Sequence, residues 1–202
     1  MYYLIKYVGP FGFIKPWTAV RDSETYSQQF LTPSIIEGIE KKLFPGLLNE
    51  KKFQRGKIHK IQRHRLSYLQ MSEQVETIQA RGYNSKKEGF VRPKAVLTRG
   101  VLLNPTLWLA FGNKQDAQQA FRQHICLCRN EDILFPELLI QSKKEEFDTD
   151  EETFYGYELI FGKSRRSFTV GYNRYNKNRF MYGELRSLGI PVTPFHEHSF
   201  AY

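Results

Sequence analysis

The stretch from Gly9 to Phe44, GPFGFIKPWTAVRDSETYSQQFLTPSIIEGIEKKLF, constrains this chain more tightly than any other, because it joins a strand to a helix through a turn. The short apolar run Tyr2–Val8 reads as a strand, and Gly9-Pro10 turns the chain. Thr32 can cap a helix that has Pro33 at its first position, where the missing N–H costs nothing. Ile35, Ile36, Ile39 and Leu43 form one apolar stripe at helical spacing. Glu37 stands one turn before Lys41 on the opposite face, a favourable order. Pro45-Gly46 stops the helix. The stripe should pack on the preceding strand. Between strand and helix lie Phe11, Phe13, Lys15, Trp17 and Arg21. Aromatic rings mixed with cations suit a flat, negatively charged ligand, of which nucleic acid is the commonest.

Further along, residues 57–69 (KIHKIQRHRLSYL) read as a strand with a bulge or kink, since the alternation is imperfect. Residues 71–96 have few large apolar side chains and paired turn signals, so they cannot build a core of their own and read as a long hairpin or arm. Residues 101–111 (VLLNPTLWLAF) form a strongly apolar strand, in which Asn104-Pro105 predicts a bulge or a strand switch. A second helix begins at Asp116, with Ala117, Ala120, Phe121, His124 and Cys128 on one stripe. Residues 147–152 read as an acidic loop, 154–161 and 167–172 as strands around a basic turn, and 182–202 as an irregular aromatic tail. This order predicts an α+β fold with helices on one face of a sheet: a ferredoxin-like βαββαβ core in a single domain of residues 1–202, with an arm inserted at 71–96 and an acidic loop region at 131–153.

The charge is unevenly spread. The chain carries a net +9 over 202 residues. Residues 41–99 hold fifteen Lys/Arg against four Glu, residues 131–158 ten acids against two Lys, and residues 163–186 seven cations against one acid. Two basic blocks around an acidic one predict a basic face and an acidic face. The acidic block should face a protein neighbour or solvent, since a polyanion would repel it. The two cysteines, Cys126 and Cys128, have no second pair for a closed zinc site and read as buried thiols. No apolar run approaches the roughly 18 residues of a membrane span, and the N-terminus is too short and polar for a signal peptide, so a cytoplasmic protein is expected. Walker, dinucleotide and nucleophile-elbow motifs are absent from the sequence, and no cofactor or metal is expected. His196-Glu197-His198 reads as a surface pair.

One run of motifs resembles a known family: Gly9-Pro10-Phe11-Gly12-Phe13-Ile14-Lys15-Pro16, then Ser23-Glu24-Thr25-Tyr26, then Thr32-Pro33-Ser34, then Glu37-Gly38-Ile39. In order and spacing it is similar to the fifth family of CRISPR-associated (Cas) proteins, the repeat-associated RNA-binding subunits of type I interference (Cascade) complexes, and most of all to the type I-C branch. A weaker echo of the family's late glycine turn covers Phe161-Gly162-Lys163-Ser164-Arg165-Arg166-Ser167-Phe168. The resemblance implies an RNA-recognition-like fold with a protruding thumb, which residues 71–96 would supply. It also implies a subunit that holds the 5′ handle of the guide RNA (crRNA) and contacts the backbone and large subunits, with target DNA nearby. Some type I-C members cut precursor RNA with a Tyr at the end of the first helix and a later Lys-His pair. Here those positions read Phe44 and Lys114-Gln115-Asp116, so the resemblance implies a subunit that does not process its own guide.

The candidate RNA contacts are Lys15, Trp17, Arg21, Lys60, Arg63, Arg65, Arg92, Lys94, Arg165 and Arg166. Trp17 can stack on a base or cap the edge of the sheet. Arg63 and Arg65 alternate on one strand, so they should project together, toward a phosphate or along a solvated edge. Arg92 and Lys94 flank Pro93 on the returning limb of the arm. Arg165 and Arg166 sit in a turn that can offer backbone N–H groups beside their guanidinium forks. Two rival readings remain: a metal-independent endoribonuclease with His59, His64 or His124 as general base, and an assembly protein without direct RNA contact.

Overall fold

Both faces of the first strand are buried, each by different partners. In the computed structural model, which describes residues 1–16, 23–49, 51–79, 82, 84–86 and 89–192, β1 (Tyr2–Val8) sends Ile5 and Tyr7 into one core and Tyr2 and Leu4 into another. The chain continues through β2 (Phe11–Gly12), β3 (Glu24–Tyr26), α1 (Pro33–Leu43), a 3-10 turn at Pro45–Leu48, β4 (Ile61–Ser67), β5 (Gln70–Gln79), β6 (Asn84–Lys86), β7 (Gly89–Val91), β8 (Lys94–Leu103) and β9 (Thr106–Phe111). It ends with α2 (Lys114–Ala120), β10 (Ile125–Cys126), β11 (Ile133–Ser142), α3 (Lys144–Thr149), β12 (Gly156–Phe161), β13 (Phe168–Asn173) and β14 (Arg179–Leu188).

Among the described residues the main sheet runs β10-β11-β1-β9-β4-β12-β14-β13, with every neighbouring pair antiparallel. Its segment β11-β1-β9-β4, with α1 joining β1 to β4 and α2 preceding β11, is the expected ferredoxin-like α+β core. Ile36, Ile39 and Leu43 of α1 and Ala117 and Ala120 of α2 cover one face. The bulge expected in β4 falls between Ile61 and Arg63. The strand switch at Asn104-Pro105 is also present: Asn104 takes a positive φ of 46°, β8 ends before it, and β9 begins after it in the other sheet. Between β4 and β9 the chain makes a long hairpin, β5 against β8, in continuous register from Gln70↔Leu103 to Gln79↔Lys94. The far side of β8 carries β2 and the parallel β3.

Five expectations need correction. The second helix stops at Ala120 rather than running to Cys128. The Ala120 carbonyl accepts the Tyr7 hydroxyl at 2.8 Å and the Gln123 N–H at 3.1 Å, so the acceptor that would continue the helix is taken. Ile125 is then free to enter β10, and the cysteines are not buried thiols: Cys126 is half-buried and Cys128 exposed. Residues 147–149 belong to α3 and only 150–152 form a turn, because Phe147 seats the helix on the face opposite α1, packed on Tyr2, Trp108 and Phe154. Helices therefore occupy both faces. The tail is not irregular from residue 182: Arg179–Leu188 is an inner strand between β12 and β13, while residues 193–202, with His196 and His198, lie outside the described residues.

The core meets the β12–β14 extension at a sparse joint. Leu66 and Tyr157 form the register pair between β4 and β12. Around it, Tyr68 donates its N–H to the Pro191 carbonyl at 3.1 Å, His64 stacks on Phe161, and two arginines bind the far face. The buried Arg65 donates to the carbonyls of Phe147 (2.5 Å) and Phe154 (2.7 Å) and to the Glu158 carboxylate (3.0 Å), and lies 4.1 Å from the centroid of the Phe147 ring. Arg63 grips Glu158 through two donors at 2.5 and 2.7 Å and Asp148 at 2.7 Å. Removing one member of such a buried set leaves an uncompensated charge. Glu158→Ala should therefore lower unfolding free energy by about 3–5 kcal/mol, read as a shift of the urea midpoint.

Candidate nucleic-acid interface

The surface of α1 that its apolar stripe leaves over is short and polar. Ser34, Glu37, Gly38 and Lys41 line one wall of a groove of about 880 Å³. The opposite wall comes from β13 and the turn after it, with Gly171, Tyr172, Asn173, Arg174 and Tyr175, above a floor of Phe161, Val170 and Met181. Lys15, Gly56, Lys57 and Ile58 also line it, with Thr32, Pro33 and Ile35 at the start of α1. Glu37 is the single acid among these described residues, against Lys15, Lys41, Lys57 and Arg174. It is already engaged, by Lys41 one turn on and by the Gly56 N–H at 2.8 Å. The groove is thus cationic as well as aromatic.

Two devices hold its walls. Glu40, wholly buried on the inner side of α1, accepts the N–H groups of His59 (2.9 Å), Lys60 and Ile61 (2.8 Å), which fixes how the chain passes from Lys57 into β4. Gly56 bridges the walls: its carbonyl accepts Asn173 Nδ2 at 2.9 Å. Its φ is +73°, and an added Cβ would stand 2.4 Å from Asn173 Oδ1, so glycine is required by both conformation and space. Tyr175 is held under two cations, with Lys41 Nζ at 5.9 Å and the Arg55 guanidinium at 5.5 Å from its ring centroid.

Gly38 is different. It sits inside α1, faces the groove, and an added Cβ would meet nothing within 4 Å. Packing does not require it, and glycine in a helix interior costs about 0.5–1 kcal/mol relative to alanine. It leaves the helix backbone bare on the groove side.

Beneath the floor lies His64. Its ring stacks on Phe161 with centroids 5.2 Å apart, and its Nε2 is buried without a hydrogen-bond partner. Burial pushes the imidazole down to about 4, partly opposed by the Glu158 carboxylate. It is a core histidine, out of reach of a ligand in the groove. His59 is occupied by the Gln54 carbonyl at 3.0 Å and lies edge-on to Phe53, and His124 is exposed beside Phe135.

The ten sequence candidates are not gathered in one place. Lys15 lies in the groove. Trp17 and Arg21 lie outside the described residues. Lys60 is paired with Asp116 at the start of α2 and covers the Phe44 ring. Arg63 and Arg65 do project together, but toward Glu158 and Asp148 on the opposite face of the sheet, so acids of the block expected to face outward meet them instead. Arg92 and Lys94 are exposed on the hairpin limb. Arg165 and Arg166 are exposed in the β12–β13 turn, whose Ser164 hydroxyl accepts the Arg166 N–H at 3.3 Å and donates to Glu184 at 2.8 Å. Sequence reasoning missed Lys41, Lys57, Arg174 and Tyr175 as groove residues. The available signal was the second basic block, in which Arg174-Tyr175 follows a strand.

No protein-family model and no curated protein matches the sequence. In structure the chain is similar to a chain of a CRISPR RNA-guided surveillance complex, with a TM-score of 0.56 and 12% identity over 95% of this chain and 91% of that one. Weaker likenesses are to a Cas protein (TM-score 0.44, 13% identity, 96% and 98% covered) and to a chain of the type III-B Cmr-beta complex bound to cognate target RNA (0.44, 10%, 92% and 85%). The first likeness establishes a shared fold.

Two predictions follow the geometry. His64 binds a proton more weakly when folded than its ordinary value of 6.5. The stability from burying it neutral is therefore complete above that value and is lost as pH falls toward 4, at up to about 1.4 kcal/mol per pH unit. His64→Leu should flatten this limb in urea melts taken between pH 7 and pH 4.5. Gly38→Ala should raise stability by about 0.5–1 kcal/mol, seen as a higher thermal midpoint.

Proposed function

We propose that this chain is a non-catalytic RNA-binding subunit of a CRISPR ribonucleoprotein of the type I interference class, and that it holds the 5′ handle of the guide RNA in the groove across α1. The observation that carries this reading is the groove itself, in which Lys15, Lys57, Arg174, the Glu37-paired Lys41 and the ring of Tyr175 converge around the exposed Gly38. Cations there neutralise phosphates, rings offer faces to bases, and the bare helix backbone leaves room for a phosphodiester. The fold shared with a chain of an RNA-guided CRISPR complex supports the same reading.

The absence of cleavage rests on what stands at the positions the family resemblance makes catalytic. Phe44 has no hydroxyl and is buried edge-on to Phe111 at 6.0 Å. Asp116 holds Lys60 in an ion pair and caps α2 with Asn113, accepting its side-chain amide at 2.7 Å. These groups are committed to packing and capping. The hairpin of β5 and β8, with Arg92 and Lys94 exposed on its returning limb, is the element we assign to contacts with neighbouring backbone and large subunits of such a complex, near the target DNA.

Phosphate contacts make affinity fall with salt, with a log–log slope of about −0.7 per phosphate for a single strand. Replacing Lys15, Lys57 and Arg174 together by alanine should weaken binding of repeat-derived RNA. It should also make the slope shallower by about 2, measured by fluorescence anisotropy across a salt series, with the RNA recovered uncut after incubation without divalent metal. An unchanged slope would remove the groove as the RNA site, and discrete cleavage lost on His59→Ala would favour the endoribonuclease.

A further inference from the structure

The opposite face of the extension carries a feature the groove does not use. In β12 and β14, Glu158 lies opposite Arg186 and Ile160 opposite Glu184. Glu158 points to the α3 face, so by alternation Arg186, Glu184, Tyr182 and Phe180 share that face, while Met181 turns to the groove. Tyr172 stands directly across from Phe180. Three rings therefore form a row: Tyr172 to Phe180 with centroids 4.7 Å apart, and Phe180 to Tyr182 at 6.4 Å. Tyr172 and Phe180 are each about half exposed, at 49% and 53%. Lys163 Nζ lies 5.4 Å from the centroid of the Tyr182 ring. Arg165 and Arg166 are exposed in the turn before β13, and Arg186 is exposed on the row's own face beside Glu184, the acid among them.

We infer that this row is a stacking platform for unpaired bases of single-stranded RNA, a second contact surface beyond the groove. A cross-strand aromatic pair alone would serve the hairpin. A third ring, the half exposure of Tyr172 and Phe180 and a cationic rim go beyond that need. An apolar protein segment would cover the rings but would gain nothing from the cations, whereas a polynucleotide matches both, its bases on the rings and its phosphates on the rim. β13 is the outermost strand of the sheet, so groove and row are separated by one strand and joined by the turn that holds Arg174 and Tyr175. A strand leaving the groove reaches the row around that turn. In this respect the inference rests on the groove reading.

Stacking and phosphate neutralisation differ in their response to salt, and that separates the two surfaces. The test uses the full chain, a fluorescein-labelled single-stranded RNA of mixed sequence and the same RNA as a duplex, by anisotropy over a salt series. Phe180→Leu keeps an apolar side chain on the strand but removes the ring, and Phe180→Tyr keeps the ring. Phe180→Leu and Tyr182→Ala should each weaken single-strand binding about fivefold or more with the salt slope unchanged. Phe180→Tyr should bind as the parent does, and the duplex should be indifferent to all three changes. If Phe180→Leu binds the single strand as the parent does, or if the aromatic changes weaken the duplex equally, the platform is overturned. Should the Lys15, Lys57 and Arg174 replacement flatten the slope while the aromatic changes do nothing, the groove stands and the row falls. If neither set alters binding, both fall.

Discussion

The buried contact between Arg65 and Glu158 is the hinge-pin of this molecule. β4 and β12 share one register pair, so the usual ladder of strand hydrogen bonds is thin where the ferredoxin-like core meets its extension. A guanidinium threaded between two backbone carbonyls and a carboxylate takes the ladder's place. The approach is so close that Gly156, at a φ of +145°, has no room for a side chain: an added Cβ would stand 2.7 Å from the Leu66 carbonyl oxygen. Satisfying those carbonyls and neutralising Glu158 offsets the desolvation of the arginine. The arrangement also fixes orientation, because a planar fork accepts its partners in one geometry. The groove has one wall on the core and the other on the extension. Its shape is therefore set on the far side of the sheet, by a contact no ligand touches.

That division explains which cations are available. Arg63 and Arg65, the most conspicuous basic pair in the sequence, are occupied by Glu158 and Asp148. Lys60 is occupied by Asp116, and Arg129 by Asp132 and Glu76. Among the acids of residues 131–158, Asp148 and Glu158 are partners of Arg63 and Arg65, Glu131 and Asp132 of Arg129, and Glu137 of Lys6. The cations brought together in the groove come from positions 15, 41, 57 and 174, which look unremarkable along the chain, and of these Lys41 is held by Glu37. Formal charge by segment thus says little about where a polyanion would sit until the internal pairs have been subtracted.

What could be read from the sequence follows the same physics. α1 was legible because its stripe, its Thr32-Pro33 start and its Pro45 stop agree with one another. The switch at Asn104-Pro105 was legible because proline cannot donate to a ladder and Asn104 tolerates a left-handed backbone. The extent of α2 was not, since it is ended by the Tyr7 hydroxyl, more than a hundred residues away in sequence. α3 was not, because its six residues carry one apolar anchor, Phe147, among acids. β14 was hidden by its own pattern: its Met181, Gly183 and Leu185 alternate with charged and aromatic residues, so the strand carries no apolar run. Of the candidate site, Lys15 was named and its groove partners were not, because a site assembled from four separated segments leaves no local pattern.

The two surfaces of the extension share one economy of construction. Gly183 faces the core side, where an added Cβ would press on Leu159 at 2.6 Å, so β14 can lie tightly on β12. The neighbouring Tyr182 and Phe180 are thereby turned outward on the other face. Shifting β14 by one residue would exchange these roles, turning the rings toward the core and Met181 outward. The irregularity in the β13–β14 register between Thr169 and Gly171 makes the adjustment that sets Tyr172 opposite Phe180 while Val170 stays buried. Gly171, at a φ of +138°, absorbs the backbone change. A bulge that only terminated the sheet would not need to align an exposed ring with another exposed ring. Here it keeps a buried valine under the groove and re-aims a tyrosine onto the outer face, so both surfaces depend on a single backbone irregularity.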